Sequence, residues 1–248
     1  MHELKNSTEI SYIRQACRIV AQLLDYLRDI AAPGVTTGWL DARAEEFIVR
    51  RGGLPAFKDY NGYPASICTS VNDQVIHGIP GPYRLREGDL LSIDVGVVKE
   101  GYFGDAAVTL AIGRVPEEHL GLMAATEGAL YAGIERAVHN NHVSDISMAV
   151  QGHVESRGFS VVRDFVGHGV GRQLHEEPPI PNYKTPGRGP RLVEGMTLAI
   201  EPMVNMGTHQ VRVLDDRWTV VTADGRPSAH FEHTILVADG EAEILTVP

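Results

Sequence analysis

Four carboxylates stand in two pairs along the chain, Asp94 with Asp105 and Glu201 with Glu232, each beside an apolar, strand-like run. Asp94 sits in Ile93-Asp94-Val95, with Val97 beyond, where a lone ionised carboxylate carries a heavy desolvation cost unless something compensates it. Asp94 and Asp105 are symmetric about Lys99-Glu100. An antiparallel hairpin turning there sets them directly opposite, with Cβ atoms roughly 4.5–5.5 Å apart. Two such anions repel unless they share a proton or bind cations, and the spacing suits two metals roughly 3.5–4 Å apart. Glu201 and Glu232 would do the same in the second half, facing the first pair. Four carboxylates around one centre point to a metal.

Of the eleven histidines, His2, His119, His139, His142 and His209 lie in polar, loop-like or helix-surface stretches that suit solvated side chains. Three others are placed differently. His168 is flanked by glycines in Gly167-His168-Gly169-Val170-Gly171, where the backbone can approach a site closely. His175 follows in Leu174-His175-Glu176-Glu177-Pro178, and His77 ends an apolar run in Val75-Ile76-His77-Gly78-Ile79-Pro80. Any one of them reads equally as a structural histidine or as a ligand. Their occurrence together with the four acids favours the second reading.

The elements that must hold these groups follow from hydrophobic spacing. Ile10, Ile13, Cys17, Val20, Leu24 and Leu27 recur at intervals of three and four, which predicts an amphipathic helix from near Ser7-Thr8 to before Pro33-Gly34. A second helix is expected from about Thr37 to Arg51, burying Leu40, Ala44, Phe47 and Ile48. Helical spacing returns from about Glu117 to Val138 and again near Ser144 to Arg157. Val-, Ile- and Thr-rich runs broken by Asn72-Asp73, Gly81-Pro82, Gly88 and Gly101 read as short strands and hairpins. The order helix, helix, strands therefore occurs twice. Within it, Glu87-Gly88-Asp89-Leu90-Leu91-Ser92-Ile93-Asp94 matches Glu194-Gly195-Met196-Thr197-Leu198-Ala199-Ile200-Glu201 in type. The repeat predicts a strand ending in an acid in each half, and a second acid, Asp105 or Glu232, just ahead of a later strand.

With 43% apolar residues over 248 positions the chain can bury a sizeable core. A formal charge of −10 and the lack of a basic helix exclude a general nucleic-acid-binding module. Cys17 and Cys68 lie far apart, which suggests a reducing compartment and excludes a Cys-based zinc finger. No leader pattern precedes the first helix and no apolar run approaches the roughly 18 residues of a membrane span. A soluble, cytoplasmic protein with no DNA or membrane partner is expected.

Tyr60-Asn61-Gly62-Tyr63-Pro64, Asn72 to Pro80, Ile93 to Asp105, Gly167 to Pro178, Ile200-Glu201-Pro202, Trp218-Thr219-Val220 and Phe231-Glu232-His233-Thr234 span nearly the whole chain. Their ordered set resembles the type I methionine aminopeptidases of the metal-dependent pita-bread fold. The start close to the first helix is similar to the short bacterial form without N-terminal extension. The resemblance implies an α+β fold in which two pseudo-twofold αα-ββ halves, about 1–115 and 116–248, form one catalytic domain. Helices would cover a curved, mainly antiparallel sheet. Carried to the matching positions, it implies Asp94, Asp105, His168, Glu201 and Glu232 as ligands of two divalent metals. Asp105 and Glu232 would bridge them, Asp94 would bind one alone, and His168 with Glu201 would hold the other. Mostly oxygen ligands with one imidazole suit Mn(II), Fe(II) or Co(II), with Zn(II) and Ni(II) as further options.

The implied reaction removes the N-terminal methionine from nascent proteins and peptides with a small second residue, through a metal-activated bridging hydroxide. Glu201 would take the water's proton and pass it to the leaving nitrogen, His175 would donate to the carbonyl oxygen, and His77 would contact the scissile amide. The substrate's free α-amine would bind on the Asp94 side, which limits cleavage to one terminal residue. Tyr60, Tyr63, Cys68 and Trp218 are implied as the wall of a slot for the thioether, with Phe57 and His77 as further candidates. Leu174 stands where several bacterial relatives carry an aromatic residue, which bears on the shape of that slot. The basic stretch from Lys184 to Arg191 suggests transient ribosome contact, and the helix stripes, needed to cover the sheet, suggest a monomer. Two alternatives differ in what they predict. A hydrolase of the same fold acting on Xaa-Pro bonds or dipeptides generally carries an additional N-terminal domain. A catalytically inactive binding relative would have lost ligands, whereas all five are present here.

Overall fold

In the computed structural model, which describes residues 4–247, helix α1 spans Ser7–Ile30 and α2 spans Thr37–Arg50. Asn6 caps α1 by accepting from the N–H groups of Thr8 and Glu9, and the Glu9 carboxylate returns to the Asn6 N–H, a complete capping box. The helix buries Ile13, Cys17, Val20, Leu24 and Leu27 of the expected stripe, while Ile10, in its first turn, is half-buried. Strands Leu54–Pro55 (β1), Cys68–Val71 (β2), Gln74–Ile76 (β3), Leu90–Lys99 (β4) and Tyr102–Ala111 (β5) complete the first half.

Helices α3 (Glu117–Ile134) and α4 (Val143–Glu155) open the second half. Helix α3 stops short of the expected Val138 because its end tightens into three-residue bonds, Arg136 N–H to Gly133 O and Ala137 N–H to Ile134 O. The strands that follow are Ser160–Val161 (β6), Gly167–Gly169 (β7), Glu176–Ile180 (β8), Thr197–Ile200 (β9) and Met203–Asn205 (β10). Val211–Val213 (β11), Val220–Thr222 (β12), Ser228–His230 (β13), His233–Leu236 (β14) and Glu243–Ile244 (β15) end the order. The doubled helix, helix, strands pattern is present, and the strand pairs are antiparallel.

In the first half β4 pairs with β1, β2 and β5; in the second β9 lies between β14 and β7. Helix α1 packs on β4 and β5 so closely that a Cβ at Gly104 would fall 2.6 Å from the Cys17 nitrogen. The two halves meet where β5 runs beside β13 and β14. Glu232 N–H donates to Ala107 O at 2.9 Å, Thr234 Oγ1 donates to Asp105 O at 2.7 Å, and Thr109 Oγ1 donates to His230 O at 2.9 Å. Threonine hydroxyls therefore satisfy backbone groups along a seam where a continuous ladder is absent, and the seam brings Asp105 beside Glu232.

The hairpin departs from the expected register. It turns at Glu100-Gly101, both at positive φ (52° and 78°), so Lys99 pairs with Tyr102, Asp94 with Ala107, and Gly96 with Asp105. Two consecutive left-handed residues make the tight turn whose twist matches the strands. The two acids are thus diagonal on one face, not directly opposite. Asp94 also lies within β4 and Asp105 within β5, instead of at a strand end and before a strand. In the second half the expectation holds better: Glu201 follows β9 and Glu232 precedes β14. The Ile200–His233 pairing, continued by one residue, sets those two acids opposite each other.

Candidate metal centre and substrate pocket

Asp94, Asp105, His168, Glu201 and Glu232 converge on one cavity of about 260 Å³. Asp105, His168 and Glu232 each offer a ligand atom within 4.8 Å of the others. The His168 Nε2 lies 3.5 Å from Glu201 Oε1 and 3.9 Å from Asp105 Oδ2. Its Nδ1 faces Gly169 O at 2.9 Å, and with the proton donated there the Nε2 lone pair is left facing the acids. The glycine-rich strand makes room: a Cβ at Gly167 would fall 2.4 Å from Ala199 O, and one at Gly169 would fall 2.5 Å from Glu177 O.

The electrostatics are those of a cation site. Among the described residues, Asp94 Oδ1, Asp105 Oδ1 and Glu232 Oε1 are buried without a hydrogen-bond partner. Burial pushes Asp94 up to about 7 and Glu201 up to about 8. Burial and then the neighbouring carboxylates raise Asp105 and Glu232 well above the usual range. His168 is driven down to about 4 by burial, so it is neutral and free to ligate at neutral pH. Orphaned carboxylate oxygens, mutual repulsion and a neutral imidazole fit divalent metal: a bound cation removes the repulsion that otherwise protonates the acids.

Tyr60, Tyr63, Cys68, His77, Leu174, His175 and Trp218 line the same cavity, together with Phe57 and Asn61. Tyr60 Oη lies 2.8 Å from His175 Nδ1, and the His175 ring packs edge-on to His168 with centroids 4.4 Å apart. Tyr63 donates to Ile67 O and Gly78 O, which leaves its ring edge against Trp218 at 5.1 Å. Cys68 pairs with Asp94 across β2 and β4, and burial beside that carboxylate pushes its thiol well up, which disfavours the reactive thiolate. His77 sits at a strained φ of 58° just after β3, held between Phe165 and Trp218, and burial lowers it to about 4. Both cysteines are free and buried.

One residue of the site escaped the sequence reading. His230 is buried, its Nε2 has no hydrogen-bond partner among the described residues, and that atom lies 3.5 Å from Glu201 Oε2. A signal existed: His230 and Glu232 are two apart in an extended run, and residues at that interval share a face. Outside the cavity, Lys184, Arg188 and Arg191 are exposed, with Arg188 paired to Asp145 and Arg191 donating to Asn140.

These observations define a metallopeptidase-like site, and comparison with known proteins agrees. The model of metallopeptidase family M24 matches residues 11–239. A methionine aminopeptidase of Clostridium acetobutylicum is 53% identical over 245 residues, covering 98% of each chain. Methionine aminopeptidase 1 of Bacillus subtilis is 49% identical over 242 residues, again at 98% of each. The crystal structure of the methionine aminopeptidase of Thermotoga maritima superposes with a TM-score of 0.98 at 45% identity, covering both chains in full. The prolidase of Pyrococcus furiosus, 22% identical with a TM-score of 0.80, shares the fold, and the chain covers 65% of it. The chain belongs to metallopeptidase family M24, on its methionine aminopeptidase branch, and has the pita-bread fold. Among the described residues no helix is long and apolar enough to cross a membrane.

Proposed function

We propose that the chain hydrolyses the first peptide bond of nascent proteins and peptides that begin with methionine and carry a small second residue. The observation that supports this most is that the acid and imidazole cluster and an apolar slot share one cavity. Asp94, Asp105, His168, Glu201 and Glu232 would hold two divalent ions, of which Mn(II), Fe(II) and Co(II) suit the donors best. When bound, the metals supply a water acidic enough to attack at neutral pH and draw charge from the first carbonyl.

The chain's own groups do the rest. Glu201, ionised once metal has displaced its proton, accepts the water's proton and returns it to the leaving nitrogen. His175 carries its proton on Nε2 when Tyr60 donates to Nδ1, and that N–H stabilises the oxyanion. His77, neutral at pH 7, contacts the scissile amide. Tyr60, Tyr63, Cys68 and Trp218 enclose the thioether, and Leu174 and Phe57 narrow the slot. Asp94 holds the side of the site that takes the free α-amine, which confines cleavage to one residue.

The reading extends to a monomeric single domain with two halves, about 1–115 and 116–248, working in the cytoplasm and touching ribosomal RNA transiently through Lys184, Arg188 and Arg191. The deciding experiment is release of free methionine from Met-Ala-Ser by chelator-stripped protein reconstituted with Mn(II) or Co(II), beside Ala-Pro-Ala. Metal-dependent cleavage of the methionine peptide alone is the expected result. Cleavage of only the proline peptide would move the chain to the Xaa-Pro hydrolases. Ribosome co-sedimentation should fall when the three basic residues become Ala.

A further inference from the structure

Lys5 is 8% exposed, ahead of the first turn of α1. A lysine is seldom buried so far without a partner of opposite charge. Its ammonium pairs with Glu176, 171 positions further along, and its own N–H donates to Gly195 O at 3.1 Å. Glu176 turns its other oxygen inward: Oε1 accepts from the backbone N–H of Arg172 at 2.7 Å and of Gln173 at 3.1 Å. Residue 171 must be small for this contact. A Cβ at Gly171 would fall 2.4 Å from Lys5 Cε and 2.8 Å from Glu176 Oε1.

The same segment is held from outside by Glu9. Its Oε1 accepts from Arg172 Nη2 at 2.6 Å, from Arg172 Nε at 3.0 Å and from Tyr102 Oη at 3.0 Å, while its Oε2 accepts the Asn6 N–H that completes the helix cap. Lys5, the α1 cap and the segment 171–176 are therefore one hydrogen-bonded unit. That segment presents Leu174 and His175 to the cavity.

We propose that Lys5, acting through Glu176, is a positioning residue for His175. Its ammonium holds the Glu176 carboxylate where that group fixes the Arg172 and Gln173 amides, and so sets where the His175 ring stands against the substrate carbonyl. This rests on the reading of His175 as the oxyanion donor. The tie comes from outside the sheet: the segment lies at the end of its sheet, and among the described residues no neighbouring strand reaches the two amides that Glu176 takes up.

The test uses the metal-loaded full chain with Lys5→Met, and with Lys5→Met/Glu176→Gln as a neutral pair that folds without an uncompensated buried charge. Expected for Lys5→Met is a kcat lower by about 10- to 100-fold on Met-Ala-Ser, the cost of a small misplacement of a reacting group. KM and Mn(II) affinity should be unchanged. Hydrogen exchange should quicken at the Arg172 and Gln173 amides while α1 and β4 keep their protection. The double variant should show the same pattern to a smaller degree, since the side chain introduced by Glu176→Gln carries no unpaired charge that drives it from its place and its carbonyl still accepts from the two amides. Wild-type exchange at those amides in a folded variant, or faster exchange with an unchanged kcat, overturns the proposal. His175→Ala in the same assay separates the two readings: if it turns over at the wild-type rate, the role of His175 fails, and amide exchange alone decides whether Lys5 orders the segment.

Discussion

The hydroxyl of Tyr60 stands 2.8 Å from Nδ1 of His175. Donated there, its proton leaves the ring's own hydrogen on Nε2, the form that can donate to a carbonyl oxygen. Tyr60→Phe deletes that bond with little change in shape, so kcat on Met-Ala-Ser should fall about 3- to 10-fold, the worth of one ordinary hydrogen bond. His175→Ala should cost about 100- to 1000-fold, as loss of an oxyanion donor does. Steady-state kinetics on both variants checks the order of these effects.

The Nε2 of buried His230 lies 3.5 Å from Glu201 Oε2. Groups that orient a metal-binding carboxylate typically contribute about 10- to 100-fold to metal affinity. His230→Leu should weaken Mn(II) binding by that much in a calorimetric titration, and His230→Gln, which keeps a donor, should recover most of it. An undiminished affinity in the Leu variant would show the approach to Glu201 to be incidental.

Without metal, the folded chain holds Asp94 at about 7 and Glu201 at about 8, against 3.8 and 4.5 in free carboxylates, so it binds more protons than the unfolded chain between those limits. The associated stability is complete in acid and is lost as pH rises through 7 to 8. His77 and His168, lowered to about 4, act in the opposite sense but only below their ordinary 6.5. The melting temperature of the metal-free protein should therefore fall between pH 6.5 and 8.

Metal reverses that trend. At pH 7 binding should release protons from the carboxylates and none from the neutral His168, which titration calorimetry in buffers of different ionisation enthalpy measures directly. At free metal about 100 times Kd, the folded state gains roughly 2.7 kcal/mol.

Leu174 is 2% exposed and packs with Ala56, Phe57, Tyr63, Ala65 and Cys68. Leu174→Ala should cost about 2–3 kcal/mol in denaturant unfolding, from lost contacts and the cavity left behind. It also deepens the slot. The kcat/KM preference for Met-Ala-Ser over Phe-Ala-Ser should narrow by about tenfold or more, the scale on which apolar pockets discriminate. A preserved preference would place the limit on side-chain size at Trp218 or Tyr63 instead.

The helices were legible because their causes are local. A three-and-four apolar stripe, a Ser7-Thr8 start and a Pro33-Gly34 stop lie within one stretch of chain, and α1 and α2 fall within a residue or two of expectation. The gathering of four acids, Asp94, Asp105, Glu201 and Glu232, with His77, His168 and His175 around one cavity was legible as well, since most of them sit in an apolar or glycine-rich setting that a solvated polar residue does not need. Tertiary structure decided how they meet. The diagonal offset of Asp94 and Asp105 depends on two positive-φ residues, Glu100 and Gly101, and the approach of Asp105 to Glu232 depends on a seam closed by Thr109 and Thr234. Lys5 comes to bear on the site only when the fold brings Glu176 to it, and His230 only when β13 sets it beside Glu201. Sequence alone determined which chemistry the chain can do, because side-chain type and local burial set that. The distances at which it is done came only from contacts between segments far apart in the chain, whose geometry no local pattern encodes.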